Sequence, residues 1–107
     1  MSVKIVALIK ALPDLSREEF LRHWQEEHPA VVWQLPGLRA YRQSPAVEHR
    51  RAWPFDGMAE LWFDSLDDLR AAFDSPQAQP VHEHEKHFLS SVDWFVATEA
   101  DKQKPQG

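Results

Sequence analysis

The chain has 107 residues, a net charge of −5 with both signs interspersed, five Trp, six Phe and no cysteine. That length fits a single hydrophobic core, and the lack of any basic run removes the electrostatic footprint of a nucleic-acid binder. Without thiols there are no disulfides, no thiolate catalysis and no thiolate metal sites, while the many rings call for aromatic walls, part core and part cavity.

Val3 to Ile9 is β-branched and apolar, a strand covered on both faces. Its apolar run between Lys4 and Lys10 is too short for a signal-peptide core or a membrane span, so a cytoplasmic protein is expected. Ser16-Arg17-Glu18-Glu19 is a capping box that opens a helix from about 17 to 35, which Pro36-Gly37 stops. Leu38 to Val47 reads as a second strand, Trp53 to Gly57 as a turn and Met58 to Phe63 as a third strand. Ser65 caps a second helix with the stripe Leu66, Leu69 and Phe73; Pro76 and Pro80 bracket a loop or short helical turn, and 81–87 is another turn of helix. Phe88 to Ala97 is the fourth strand, and the domain, 1–98, ends there; 99–107 is a polar, frayed tail.

Ser16-x-Glu18-Glu19-Phe20-x-x-x-Trp24 echoes in Ser65-x-Asp67-Asp68-Leu69-x-x-x-Phe73. A duplicated strand–helix–strand unit is the pattern of an α+β, ferredoxin-like β-α-β-β-α-β domain with a four-stranded antiparallel sheet. Helices cover one face of such a sheet, yet both alternating sets of these strands are apolar. The expected remedy is a homodimer packed sheet to sheet, a dimeric α+β barrel.

At about 100° per residue, His28 falls inside the apolar stripe of the first helix, with Phe20, Trp24 and Val31. His23 lies about 140° away on the solvent side, which argues against the two sharing a metal. Pro29 predicts a kink at His28 or a restart of the helix there. His28 then reads either as a core histidine bonded to backbone or as a pocket acid/base. His84 repeats the pattern between Val81 and Phe88, with His82 and His87 pointing elsewhere. An ion on His84, His87 and Glu83 is the weaker reading of a histidine-rich solvated turn, and no metal is expected. Glu60 is the one charge in an apolar strand, either paired with an arginine or desolvated between rings. Tyr41, the only tyrosine, follows the Pro36-Gly37-Leu38 turn, where a phenol can donate to a substrate oxygen. No GxGxxG, P-loop, GxSxG or HExxH motif is present.

His23-Trp24, His28, Pro36-Gly37-Leu38, Tyr41, Glu60-Leu61-Trp62-Phe63 and His84-Glu85-Lys86-His87-Phe88 together resemble the EthD family of dimeric α+β barrel proteins, over residues 3–98. The pattern is most similar to the methylmuconolactone methylisomerase type. The resemblance implies His28, Tyr41 and His84 as catalytic residues, with Trp24, Glu60, Trp62 and His87 around the substrate. It implies a cofactor-independent isomerase, cyclase or lyase acting on a small hydrophobic ring, lactone or polyketide-like carbonyl compound. A non-catalytic accessory protein and a cofactor-free monooxygenase are the alternatives, and loop 48–56 follows no family pattern.

Overall fold

A computed structural model of the chain describes residues 2–106. The strands β1 (Val3–Ala11), β2 (Ala40–Pro45), β3 (Gly57–Phe63) and β4 (Leu89–Ala97) form one antiparallel sheet in the order β2-β3-β1-β4. The helices α1 (Arg17–Leu21), α2 (His28–Val32), α3 (Leu66–Phe73) and α4 (Ala78–Glu85) lie in the two crossovers, α1 and α2 joined by a π-helical segment, Arg22–Glu27. This is the expected ferredoxin-like α+β fold.

Register decides which side chains meet the helices. Gln43, Ala59, Ala7 and Trp94 stand side by side across the sheet, and so do Tyr41, Leu61, Ile5 and Val96. Because successive side chains alternate faces, Arg42, Glu60, Val6 and Phe95 form a row on the opposite side. The inner face packs on Phe20, Trp24 and Phe88, all buried, with Phe63 at its edge.

Both caps of the duplicated unit form. Ser16 Oγ accepts from the Glu19 amide at 3.1 Å while Glu19 accepts from the Ser16 amide at 3.0 Å. Ser65 Oγ accepts from the Asp68 amide at 3.1 Å. Pro80 lies inside α4 rather than bracketing it, in the first turn, where the missing N–H would have had no helical partner. Residues 98–106 carry no helix or strand, yet Glu99 reaches back to Lys4 at 2.9 Å.

The first helix departs from the expected continuous run of 17–35. Pro29 does restart it, as the first turn of α2, but the strain is taken up upstream by the π-helical segment, where the His28 amide donates to the carbonyl of His23, five residues back. A straight 100° wheel therefore fails over 22–28. The wider turn brings His23 inward, half-buried, with its ring stacked on Phe88 at 6.2 Å between centroids. The reading of His23 as a solvent-side residue is corrected by that turn.

Candidate functional site

Between the inner face of the sheet and the helices lies a cavity of about 500 Å³. Ile5, Ala7, Ala59 and Leu61 form its floor, Trp24, Val32 and Phe88 its apolar walls, and Trp94, 63% exposed, stands at its mouth. Small residues in the floor leave the space that the large ones above do not fill. The polar groups facing it are His28, Tyr41, Glu85 and, near the rim, Arg70, Asp74 and His82.

His28 is the one polar residue among the buried side chains of the core. Its Nδ1 lies 2.8 Å from Nδ1 of His84, and the two nearly parallel rings meet edge to edge with centroids 5.0 Å apart. Nε2 of His84 in turn lies 3.3 Å from Oε1 of Glu27, which also accepts from His23 Nδ1 at 2.8 Å. Hydrogen bonds from His23 first and His84 second hold the Glu27 carboxyl below its ordinary range, so it is an acceptor. The donor roles then follow in order. Glu27 accepts from His84 Nε2–H, His84 Nδ1 accepts from His28 Nδ1–H, and His28 Nε2 is left with a lone pair. That nitrogen has no partner among the described residues and is not sealed in. Burial, and secondarily the charge of His84, push the His28 imidazole down to about 4, so it is neutral at pH 7.

Pro29 has a second effect, on the opposite wall. In a π-helical turn the carbonyl of Trp24 would accept from the amide of residue 29, and proline has none. Gln43, reaching up from β2, fills the vacancy: its Nε2 donates to the Trp24 carbonyl at 2.7 Å and to the Tyr41 hydroxyl at 2.6 Å. Both amide hydrogens are thus used, and the phenol, already an acceptor, has its own hydrogen free for a ligand. Burial pushes Tyr41 up to about 12, against the pull of the Gln43 donor and with help from the Glu85 carboxylate, so it stays protonated. Glu85 is itself raised by burial, against its hydrogen bond with His82.

Of the residues singled out in the sequence, His28, Tyr41 and Trp24 meet at the cavity. His84 stands behind His28 rather than on the wall, where it orients the imidazole. Glu60 and Trp62 are not brought to the cavity. Strand alternation places them on the outer face, where Glu60 accepts from Lys4 at 2.7 Å and Lys4 and Arg42 lie over the Trp62 ring at 5.0 and 5.1 Å. Glu60 is paired with a lysine, not isolated between rings. His87 is exposed, stacked on His84 at 5.7 Å, and does not line the cavity. Glu85, Gln43 and Glu27 are not among the residues the sequence singles out, and His82, expected to point elsewhere, reaches the cavity rim from the same helix as Glu85. Glu85 sits three residues before Phe88 in the stripe that flagged His84, a signal that was there to be read; Gln43 shares the strand face of Tyr41, two residues on.

The chain belongs to the EthD domain family, whose model matches residues 12–91. Among solved structures it is similar to an EthD family protein from Bacillus halodurans C-125, 22% identical, with a TM-score of 0.79 over 94% of this chain and all of that one. A dimeric ferredoxin-like protein of unknown function from Thermobifida fusca matches at 16% identity and 0.68, covering 92% of each chain. SnoaB, a cofactor-independent oxygenase from Streptomyces nogalater, matches at 16% and 0.66 over 98% of each. No protein of curated function matches the sequence. No helix among the described residues is long and apolar enough to cross a membrane.

Proposed function

We propose that the protein is a cofactor-independent enzyme that moves a proton on a small hydrophobic ring, lactone or polyketide-like carbonyl compound, in an isomerase, cyclase or lyase reaction. The observation that carries this reading is the pairing, on one cavity, of an unpartnered His28 Nε2 with a Tyr41 hydroxyl whose hydrogen is free. His28 takes a proton from the carbon beside the carbonyl, and the charge that develops on the oxygen is met by the Tyr41 O–H. The Glu27–His84 pair behind His28 holds its tautomer and ring orientation. Apolar walls keep water out, which strengthens both interactions. The resemblance to the methylmuconolactone methylisomerase pattern supports a lactone among the candidate substrates.

The fold it shares with SnoaB supports a second reading, a cofactor-free oxygenase, in which the same deprotonation yields a carbanion that reacts with dioxygen. Incubation of ring ketones and lactones with the enzyme in D2O tests the common step. Deuterium entering beside the carbonyl, lost in His28→Ala, supports proton transfer. Oxygen uptake accompanying product formation would favour the oxygenase, and neither event across the panel would leave an accessory binder.

The working unit is proposed to be a homodimer joined through the outer sheet face, where Phe95 remains 53% exposed beside Val6. Dimeric ferredoxin-like neighbours support it. Sedimentation is expected to give a dimer for the parent chain and a monomer for Phe95→Asp; a parent monomer at micromolar concentration would refute it.

A further inference from the structure

Behind the cavity base, on the solvent side of the relay, the π-helical segment and α4 bring three ligand-type side chains together. His23 Nδ1 and His84 Nε2 lie 2.8 and 3.3 Å from Glu27 Oε1, and the three residues offer ligand atoms within 4.8 Å of one another. We propose that these three residues form a binding site for a divalent ion of the zinc type, and that the ion reverses the polarity of the His28 relay; the second half rests on His28 being the cavity base.

The donor set is two imidazoles and one carboxylate, three protein ligands with a fourth position left for water, which suits zinc and not a hard cation that demands six oxygens. All three side chains are partly open to solvent, at 19%, 45% and 19% exposed, so an ion can enter without unfolding anything. Arg22 approaches the other Glu27 oxygen only at 4.0 Å and is itself exposed, free to swing away. The ring of His84 is held at its Nδ1 edge by His28 and lies stacked against His87 with centroids 5.7 Å apart. Its Nδ1 already has a partner in His28, the outer contact that a metal-ligating histidine ordinarily makes.

The consequence follows from proton counting. An ion on His84 Nε2 needs the lone pair of that nitrogen, so the single proton of the neutral ring moves to Nδ1. His84 then donates to His28 Nδ1 instead of accepting from it, and His28 must carry its own proton on Nε2. Net protonation is unchanged, but the nitrogen facing the cavity turns from base to donor. Zinc at this site would switch off proton abstraction without entering the cavity.

The test is calorimetric titration of the full chain, stripped by a chelator, with zinc chloride, and with magnesium chloride as the hard-cation control. One zinc per chain is expected, with no magnesium uptake and with affinity weakened about tenfold or more in His23→Ala and in Glu27→Gln. Nitrogen-resolved imidazole spectra are expected to show His28 passing from Nδ1–H to Nε2–H as zinc is added. No uptake, or uptake that neither substitution weakens, would overturn the site. Uptake at the three residues with the His28 tautomer unmoved would overturn the coupling. None of these measurements depends on turnover, so a failure of the proton-transfer reading, judged by deuterium exchange, is scored separately.

Discussion

The two faces of the sheet are made by the same four strands, yet only the inner one borders the cavity. On the inner face, the row through Ala7 runs from Gln43 to Trp94; on the outer face, the row through Val6 runs from Arg42 to Phe95. Each row has a polar group on β2 and a ring on β4. What differs is the layer above. Over the inner face the π-helical turn lowers an unsatisfied Trp24 carbonyl and a buried imidazole, which orient Gln43 and, through it, Tyr41. Over the outer face the chain brings only its C-terminal segment, and the charges there are satisfied by Lys4 pairing with Glu60 and with Glu99. A polar strand residue becomes a chemical group where a second layer desolvates it and fixes its hydrogen bonds, not where its neighbours happen to be apolar.

The largest effect that sharpens this contrast is expected from His28→Ala. Turnover, or deuterium exchange into a bound carbonyl compound, is expected to fall by about 10²- to 10⁴-fold, the range that a positioned general base contributes. The ring already borders empty space, so the truncation is expected to cost less than the ~2–5 kcal/mol of emptying a packed core site. A variant that melts much earlier yet exchanges deuterium as before would make His28 a structural residue and leave the inner face no more functional than the outer.

Acid stability gives the next effect. The ordinary imidazole titrates near 6.5, and His28 in the fold is pushed down to about 4. Between those values the unfolded chain holds a proton at this position that the folded chain does not, so stability rises with pH across the window. The contribution is complete above 6.5 and is lost as pH falls towards 4, up to about 3 kcal/mol at about 1.4 kcal/mol per pH unit. In melts of the parent and of His28→Phe, both in chelator, the parent is expected to lose stability relative to the variant as pH drops through this range. Parallel pH profiles would show that the imidazole is not desolvated, and the inner face would then be no drier than the outer.

Gln43→Ala probes the link between helix and strand. It leaves the Trp24 carbonyl without a donor and frees the Tyr41 ring, and a loss of about 1–3 kcal/mol in stability is expected for a stranded buried acceptor. Affinity for a carbonyl ligand is expected to weaken as well, because the phenol hydrogen is no longer aimed. If water replaces the amide and neither quantity moves, Pro29 and Gln43 are not coupled.

The fold was legible because its signals are local. Two serine caps, the Pro36-Gly37 stop and the apolar strands each sit where sequence reasoning put them, and Gly37 takes the left-handed conformation, φ 77°, that ends the helical stretch. The site was legible only in part. His28 and His84 stood out because an imidazole interrupts an apolar stripe, and that inference needs nothing beyond helical spacing. Glu60 and Trp62 were misplaced because the strand is apolar on both faces, so the period of two gave no phase; pairing with Lys4 and Ala40 through the register resolves it. The roles of Gln43 and Glu27 could not be read because they depend on a π-helical turn, which shifts which carbonyl is orphaned and which side chains converge. Proline at 29 announced a break, but a break can be absorbed in several ways, and the sequence does not say which.

The smallest expected effect is also the one that most directly challenges the comparison. Glu60→Gln alters the only acidic side chain of β3, yet it removes a charge from the face opposite the cavity, where Lys4 still has Glu99 at 2.9 Å as a second partner. Its neighbours in the sheet, Val6 and Arg42, share that outer face, and none of them lines the cavity. Ligand affinity and turnover are therefore expected to stay within about twofold of the parent, as for sites that share no partners. What should change is the outer face itself: with Glu60 neutral, Lys4 and Arg42 lose a compensating charge, and the proposed dimer is expected to become more salt-dependent in sedimentation. A drop in turnover as large as that of His28→Ala, with the dimer intact, would mean that the carboxylate communicates through the sheet, and the division of labour between the two faces would have to be abandoned.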